Sequence, residues 1–197
     1  MGNNKPGSLK FAVFTGAGAF LVAVFFSIFS EILLPKLQIL ILSFFVLLLV
    51  IFIGIIFDMI GVAAAVADER AFHAKASKKL KGASHSLFLI KHADKVATFC
   101  NDVVGDICGT VSGAFGVAIG LQVVTGKPDW NESILTMIMT GLVASLTVGG
   151  KAAGKKTAMD DSEQIIYAVG RIIAWFESVT GIRIIGGGQR KGKDRRR

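Results

Sequence analysis

Residues 37–57 read LQILILSFFVLLLVIFIGIIF, 21 residues with no charge and only Gln38 and Ser43 as polar side chains. A helix in water breaks its apolar positions every few residues to keep one face polar. This stretch keeps no such face. About 20 helical residues cross a hydrocarbon core ~30 Å thick, so the stretch is long enough to span a membrane. A core helix of a soluble domain would be shorter and would alternate with polar positions.

Working outward, residues 11–29 also carry no charge, and the whole 197-residue chain is 52% hydrophobic with mean hydropathy +0.62. The short polar start through Lys5 and Lys10 resembles the opening of a signal peptide. No small-x-small cleavage pattern follows before Glu31, so residues 11–30 are read as a retained first span. A lipid on Gly2 adds nothing that the spans do not already provide. Residues 31–36, with Pro35, form a turn. The second span starts near Leu37 and runs toward Ala67, with Asp58 inside it. Thirty-one residues would make a helix of roughly 46 Å, so it must tilt, kink or emerge. Gly54 and Gly61 bracket Asp58 and are natural places for a break.

A polar helical hairpin follows over residues 69–95, divided by Gly82. The third span covers residues 96–124. Residues 125–132, with Lys127, Pro128, Asp129 and Trp130, make a loop with an interfacial aromatic. Asn131-Glu132-Ser133 matches a glycosylation triplet, a pattern short enough to arise by chance. The fourth span is short, residues 134–150, and ends at Lys151, Lys155 and Lys156. An amphipathic juxtamembrane helix over residues 161–180 carries Ile165, Val169, Ile172, Ile173 and Phe176 at helical spacing, with Tyr167 and Trp175 suited to headgroup depth. The fold expected is therefore all-α and polytopic. It has four transmembrane helices, a cytoplasmic hairpin and the juxtamembrane helix. Residues 1–36 hold the N-terminus and first span, 37–180 the main membrane domain, and 181–197 a disordered basic tail after Gly186-Gly187-Gly188.

The charge of +8 is uneven. Arg70, Lys75, Lys78, Lys79, Lys81, Lys91 and Lys95 face only Asp68, Glu69 and Asp94 within residues 67–95. Arg183, Arg190, Lys191, Lys193, Arg195, Arg196 and Arg197 face only Asp194 in the tail. Beside spans, such clusters mark the cytoplasmic side and touch anionic lipid. No aromatics interleave with the tail charges, so membrane lipid rather than nucleic acid is the expected partner. Both termini and the hairpin are then cytoplasmic in a multi-pass cell-membrane protein, with a bacterial plasma membrane as the expected location.

Ionisable groups at bilayer depth cost ~3 kcal/mol or more and are functional candidates. Three carboxylates qualify: Asp58, Asp102 and Asp106. A regular helix aligns Thr98, Asp102, Asp106 and Thr110 on one face, with Asn101 beside them. Carboxylate, amide and hydroxyl oxygens are hard ligands suited to Mg²⁺ or Ca²⁺. Asp58, Asn101, Asp102 and Asp106 are thus the candidate metal ligands, Asp58 joining from another span. The structural alternative is that the carboxylates pair with Lys95, Lys151 or one another. Gly105, Gly109, Gly113, Gly116 and Gly120 form a second pattern, serving either packing within the chain or a homodimer seam through the third span.

Other chemistry is poorly supported. Cys100 and Cys108 would stand about 12 Å apart on a helix, too far for a disulfide. His73, His85 and His92 lack metal-ligand spacing. No Walker loop, nucleophile elbow or dinucleotide fingerprint is present, so neither an enzyme nor an organic cofactor is expected.

From residue 37 to about 178 the order of features resembles the transmembrane domain of the CNNM/CorC (CorB) magnesium transporter family, in a short CorB-like form without CBS domains. The counterparts are Phe57-Asp58-Met59-Ile60-Gly61 for the break in the family's first helix, and residues 69–95 for its hairpin. Leu89-Ile90-Lys91-His92-Ala93-Asp94-Lys95 stands for the approach to its second helix and Asn101-Asp102 for its Gly-Asn pair. Gly149-Gly150-Lys151-Ala152-Ala153-Gly154-Lys155 stands for its Gly-Glu-x-x-Pro-Lys end. The family's glutamate falls on Gly150, its proline on Ala153 and its serine on Asp58, and residues 11–30 are additional. The resemblance implies Mg²⁺, or another divalent cation, as the transported ion. Its changed ligand set leaves two readings: a rebuilt cation site in a transporter or exchanger, or a non-transporting membrane module that binds a partner or anionic lipid through the basic hairpin and tail.

Overall fold

The computed structural model describes residues 13, 15–25, 28, 40–126 and 131–181, and over these the chain is all-helical with no strand. The turn at residues 31–36, the loop around Trp130 and the basic tail from 182 lie outside the described residues, as does part of the first span expected at 11–30. Within that span, the described helical stretch is α1 (Thr15–Phe25). Its Ala19, Val22 and Ala23 pack against the apolar core. Among the described residues, three helices are long and apolar enough to cross a membrane: Leu40–Val66, Ala93–Gly126 and Glu132–Asp160.

Helix α2 (Leu40–Val66) is the run that opened the sequence. It is one uninterrupted helix, so neither Gly54 nor Gly61 breaks it. Both glycines instead admit a neighbour. A Cβ on Gly54 would stand 2.8 Å from the Cβ of Cys108, and one on Gly61 would stand 2.7 Å from Cγ of Asn101.

The irregularity falls in the next rod. Helix α5 (Ala93–Ala97) passes into a π-helical segment, Thr98–Gly105, and then into α6 (Asp106–Gly126). Hydrogen bonds from i to i+5 widen the turn there. The polar stripe lies on the outer side of this rod: Asp102, Asp106 and Thr110 are exposed, whereas Cys100, Val103, Gly105 and Ile107 are buried. The inward face is taken by the apolar residues that pack on α2 and the last long helix.

Helix α7 (Glu132–Asp160) begins with Asn131 as its N-cap, the side chain accepting from Ile134 N–H at 3.3 Å. It continues ten residues past the expected end at 150. The continuation follows from Gly150 and Gly154, which let α7 lie close on α2. A Cβ on Gly154 would meet Cγ of Met59 at 2.8 Å. Hence Lys151 is an inner helix residue rather than the first residue beyond a span.

Leu47 and Ile51 of α2, Val103 to Ile119 of the third rod, and Met139 and Val143 of α7 form the main core. At its far end Ser43 Oγ donates to Gln122 Oε1 at 3.5 Å. Gly116 and Gly120 serve contacts within the chain, a Cβ there meeting Val143 at 2.8 Å and Thr136 at 3.1 Å. Gly109 and Gly113 face open space. The outer surface is apolar: Ile41, Phe45 and Phe52 of α2 and Met137, Ile138 and Val148 of α7 are exposed. Each such side chain costs roughly 1.5–3 kcal/mol against water, which is the pattern of a surface meant for hydrocarbon.

A smaller helical layer closes the other end. Helix α3 (Glu69–Ser77), capped by Asp68, turns through Gly82 at φ 85° into α4 (Ala83–Lys91). Helix α8 (Ser162–Thr180) packs across this hairpin. Phe72, Ile166, Ala63, Ala64 and Ala158 form their shared core. Buried Ser86 donates to the carbonyls of Gly82 or Ile166 at 3.0 and 3.1 Å. Lys75–Glu163 at 3.5 Å and His85–Glu177 at 2.9 Å fasten hairpin to α8.

Candidate functional site

The three long helices converge on Asp58, about 12 Å before the hairpin end of α2. Residues 58, 105 and 151 belong to helices whose neighbouring glycines permit close approach. Gly105 is one: a Cβ there would stand 3.3 Å from Lys151 Nζ and 3.9 Å from Asp58 Oδ1. The absent side chain is what lets Lys151 reach in from α7.

Lys151 Nζ donates to the Gly105 carbonyl at 3.3 Å and lies 3.9 Å from Oδ1 of both Asp58 and Asp106. The two carboxylates differ in setting. The Asp58 side chain is 7% exposed, whereas that of Asp106 is 75% exposed. Asp58 therefore depends on its partner, while Asp106 is largely served by its surroundings. Two carboxylates and one ammonium leave one formal negative charge in the cluster.

Two oxygens remain without donors. Asp58 Oδ2 and Asn101 Oδ1 are buried and find no hydrogen-bond partner among the described residues. Asn101 lies against Gly61, one turn beyond Asp58 on the same side of α2. A buried acceptor left unpaired costs about 1–3 kcal/mol, and more when it is charged. Both oxygens thus call for a cation, or for water, within a single helical turn. The π-helical segment beside them is the kind of irregularity that often accompanies a functional site.

Of the sequence candidates, Asp58, Asn101 and Asp106 are brought to this region. Asp102 is exposed and makes no ion pair among the described residues. Lys151 is the lysine that pairs with the carboxylates; Lys95 does not. Among the described residues, no group of three or more His, Cys, Asp or Glu could hold a metal ion. Any cation held here needs the Asn101 amide and backbone carbonyls beside the carboxylates. Asp102, Asp106 and Thr110 make a polar stripe on the outside of the third rod, which at bilayer depth must meet water or another polar surface. Gly61, Gly105 and Gly150 were not singled out as site-forming in the sequence, since a glycine acquires that meaning only from the neighbour it admits.

The fold and site together define an all-helical chain of membrane character with a carboxylate–amide–lysine cluster between three long helices. No protein-family model matches the chain, and no curated protein or solved structure is significantly similar to it.

Proposed function

We propose that the chain is a membrane cation transporter or exchanger of the divalent, Mg²⁺-type class, in which Lys151 acts as a tethered cation at the transport site. The observation that carries this reading is the pair of buried, donor-less oxygens, Asp58 Oδ2 and Asn101 Oδ1. They supply the hard oxygen chemistry that Mg²⁺ prefers, with retained waters completing the shell.

Without the transported ion, the Lys151 ammonium offsets Asp58. Its contacts are long, 3.3 to 3.9 Å, and its side chain is 22% exposed, so it is held loosely. An arriving cation displaces the ammonium toward the exposed side, where Asp106 remains available to it. Asp58 and Asn101 then bind the ion, and Asp106 and Asp102 supply negative charge along the approach. Return of Lys151 favours release. The order of features resembles that of the CorB-like magnesium transporters, and the resemblance points to the same class, with Asp58 and Lys151 as this chain's own version of the site.

Isothermal titration of the detergent-purified chain with Mg²⁺ tests the binding step. We expect saturable binding to the parent, lost in Asp58→Asn and weakened in Asn101→Ala, with all three proteins melting cooperatively. Equal binding by parent and Asp58→Asn would remove the site from the proposal.

A further inference from the structure

A second candidate site lies outside the cation cluster, on the layer formed by the hairpin and α8. The α3–α4 turn and α8 frame an open recess of about 730 Å³ whose lining includes Lys79, Lys81, His85, Arg171 and Trp175. Among the described residues, no acidic side chain lines it. Glu177, on the same helix as Arg171, is bound to His85 at 2.9 Å. Lys79, Lys81 and Arg171 have no acidic partner among the described residues.

The position of these cations follows from packing. Gly82, at φ 85°, presses so closely on α8 that a Cβ would meet the backbone N of Arg171 at 2.7 Å. Only glycine fits there, and the fit brings the Lys79–Lys81 turn beside the Arg171 side chain. Lys79 itself is held at φ 53°, which fixes the turn that carries it.

A second feature adjoins the recess. The side of α8 turned away from the hairpin exposes Ile172, Trp175, Phe176 and Val179, at 64%, 66%, 47% and 65%. Such a face on a helix that follows directly on a membrane-length helix suits the headgroup–acyl boundary. Arg171 and Trp175 belong to both features, since a shallower recess along α8 is lined by Ala168, Arg171, Ile172 and Trp175. Basic recess and apolar face thus share an edge.

We infer that this recess binds the headgroup of an anionic phospholipid, the acyl chains lying along the exposed face of α8. Arg171 offers a planar donor fork for phosphate oxygens. Lys79 and Lys81 supply further charge, and Trp175 sits at the junction of polar and apolar regions, where its ring is favoured. A free phosphate would use the recess but not the apolar face. A zwitterionic lipid would use the face but gain little from three unpaired cations.

Trp175 reports on the site directly. The chain has two tryptophans, so Trp130→Phe leaves Trp175 as the sole indole. In detergent, this protein is titrated with dioctanoyl phosphatidylglycerol, dioctanoyl phosphatidylcholine, inorganic phosphate and an acidic peptide. We expect a saturable blue shift with phosphatidylglycerol alone. In Lys79→Gln/Lys81→Gln/Arg171→Gln the apparent affinity should fall roughly ten-fold or more, as expected for losing three cations at a lipid surface. If the triple variant does not melt like its parent, Arg171→Gln alone is measured, and a clear loss is still expected. Equal response to phosphatidylcholine, equal or stronger saturation by phosphate or the peptide, or unchanged affinity in a folded variant would each overturn the inference.

Discussion

Replacing Lys151 with methionine keeps the length of the side chain and removes its charge. The change isolates the interaction on which the cation cluster rests. At 3.9 Å, a unit pair in an effective dielectric of 20 interacts by about 4 kcal/mol. Partial exposure of the lysine lowers this, and the pairing with Asp106 adds at most about 1 kcal/mol because that carboxylate is mostly exposed. Removing one member of a buried pair leaves the other uncompensated, so a loss of about 2–4 kcal/mol is expected for Lys151→Met. For a chain of this size that corresponds to roughly 5–15 °C in Tm. Cys100 and Cys108 are free and buried, so a thiol-reactive dye follows unfolding in detergent. Two further measurements complete the test. Asp58→Asn/Lys151→Met should recover most of the loss, because both partners are then neutral. Mg²⁺ should stabilise Lys151→Met more than the parent, by about 2.7 kcal/mol at a hundred times its Kd. If Lys151→Met melts like the parent, and the double variant shows coupling below about 0.5 kcal/mol, the two groups do not share a site and the reasoning fails.

Other expectations follow from the packing. Gly170→Ala should loosen the hairpin, since a Cβ there would meet Gly82 O at 2.7 Å and Ser86 N at 2.8 Å; limited proteolysis between residues 77 and 83 should accelerate while the long helices stay protected. Leu47→Ala, at a fully buried core position, should cost about 2–5 kcal/mol in the same thermal assay. Gly109→Ala and Gly113→Ala enter open space and should be neutral or stabilising by up to about 1 kcal/mol through helix propensity. A clear destabilisation of either, together with a change in oligomer size by light scattering, would show that another copy packs on that face.

Much of the architecture was legible because apolar run length is a strong signal. Residues 37–57 carry too little polarity to be anything but a membrane-length helix, and Gly82 marks the hairpin turn by itself. Boundaries were harder. The cluster of Lys151, Lys155 and Lys156 looks like the end of a span. Yet Gly150 and Gly154 hold α7 against α2 and carry the helix on to Asp160. The bend expected at Asp58 was misplaced for a related reason: a glycine in a helix signals either a break or a close neighbour, and only the neighbour decides. The π-helical segment at Thr98–Gly105 has no sequence signature of its own. A four-residue spacing does keep Asp102, Asp106 and Thr110 on one face; the apolar residues Val103, Ile107 and Val111, which pack in the core, decide that this face turns outward. Asp58 stood out as a charge in an apolar run. Its partner was one of two lysines weighed, and the three-dimensional path of α7 selects Lys151.

The most direct test of the central proposal is Mg²⁺ flux into proteoliposomes carrying an entrapped indicator, comparing the parent with Asp58→Asn at matched reconstitution. We expect flux above protein-free vesicles for the parent and none above that background for Asp58→Asn. Equal flux in the two, or parent vesicles no more permeable than empty ones, would contradict a transport site at Asp58.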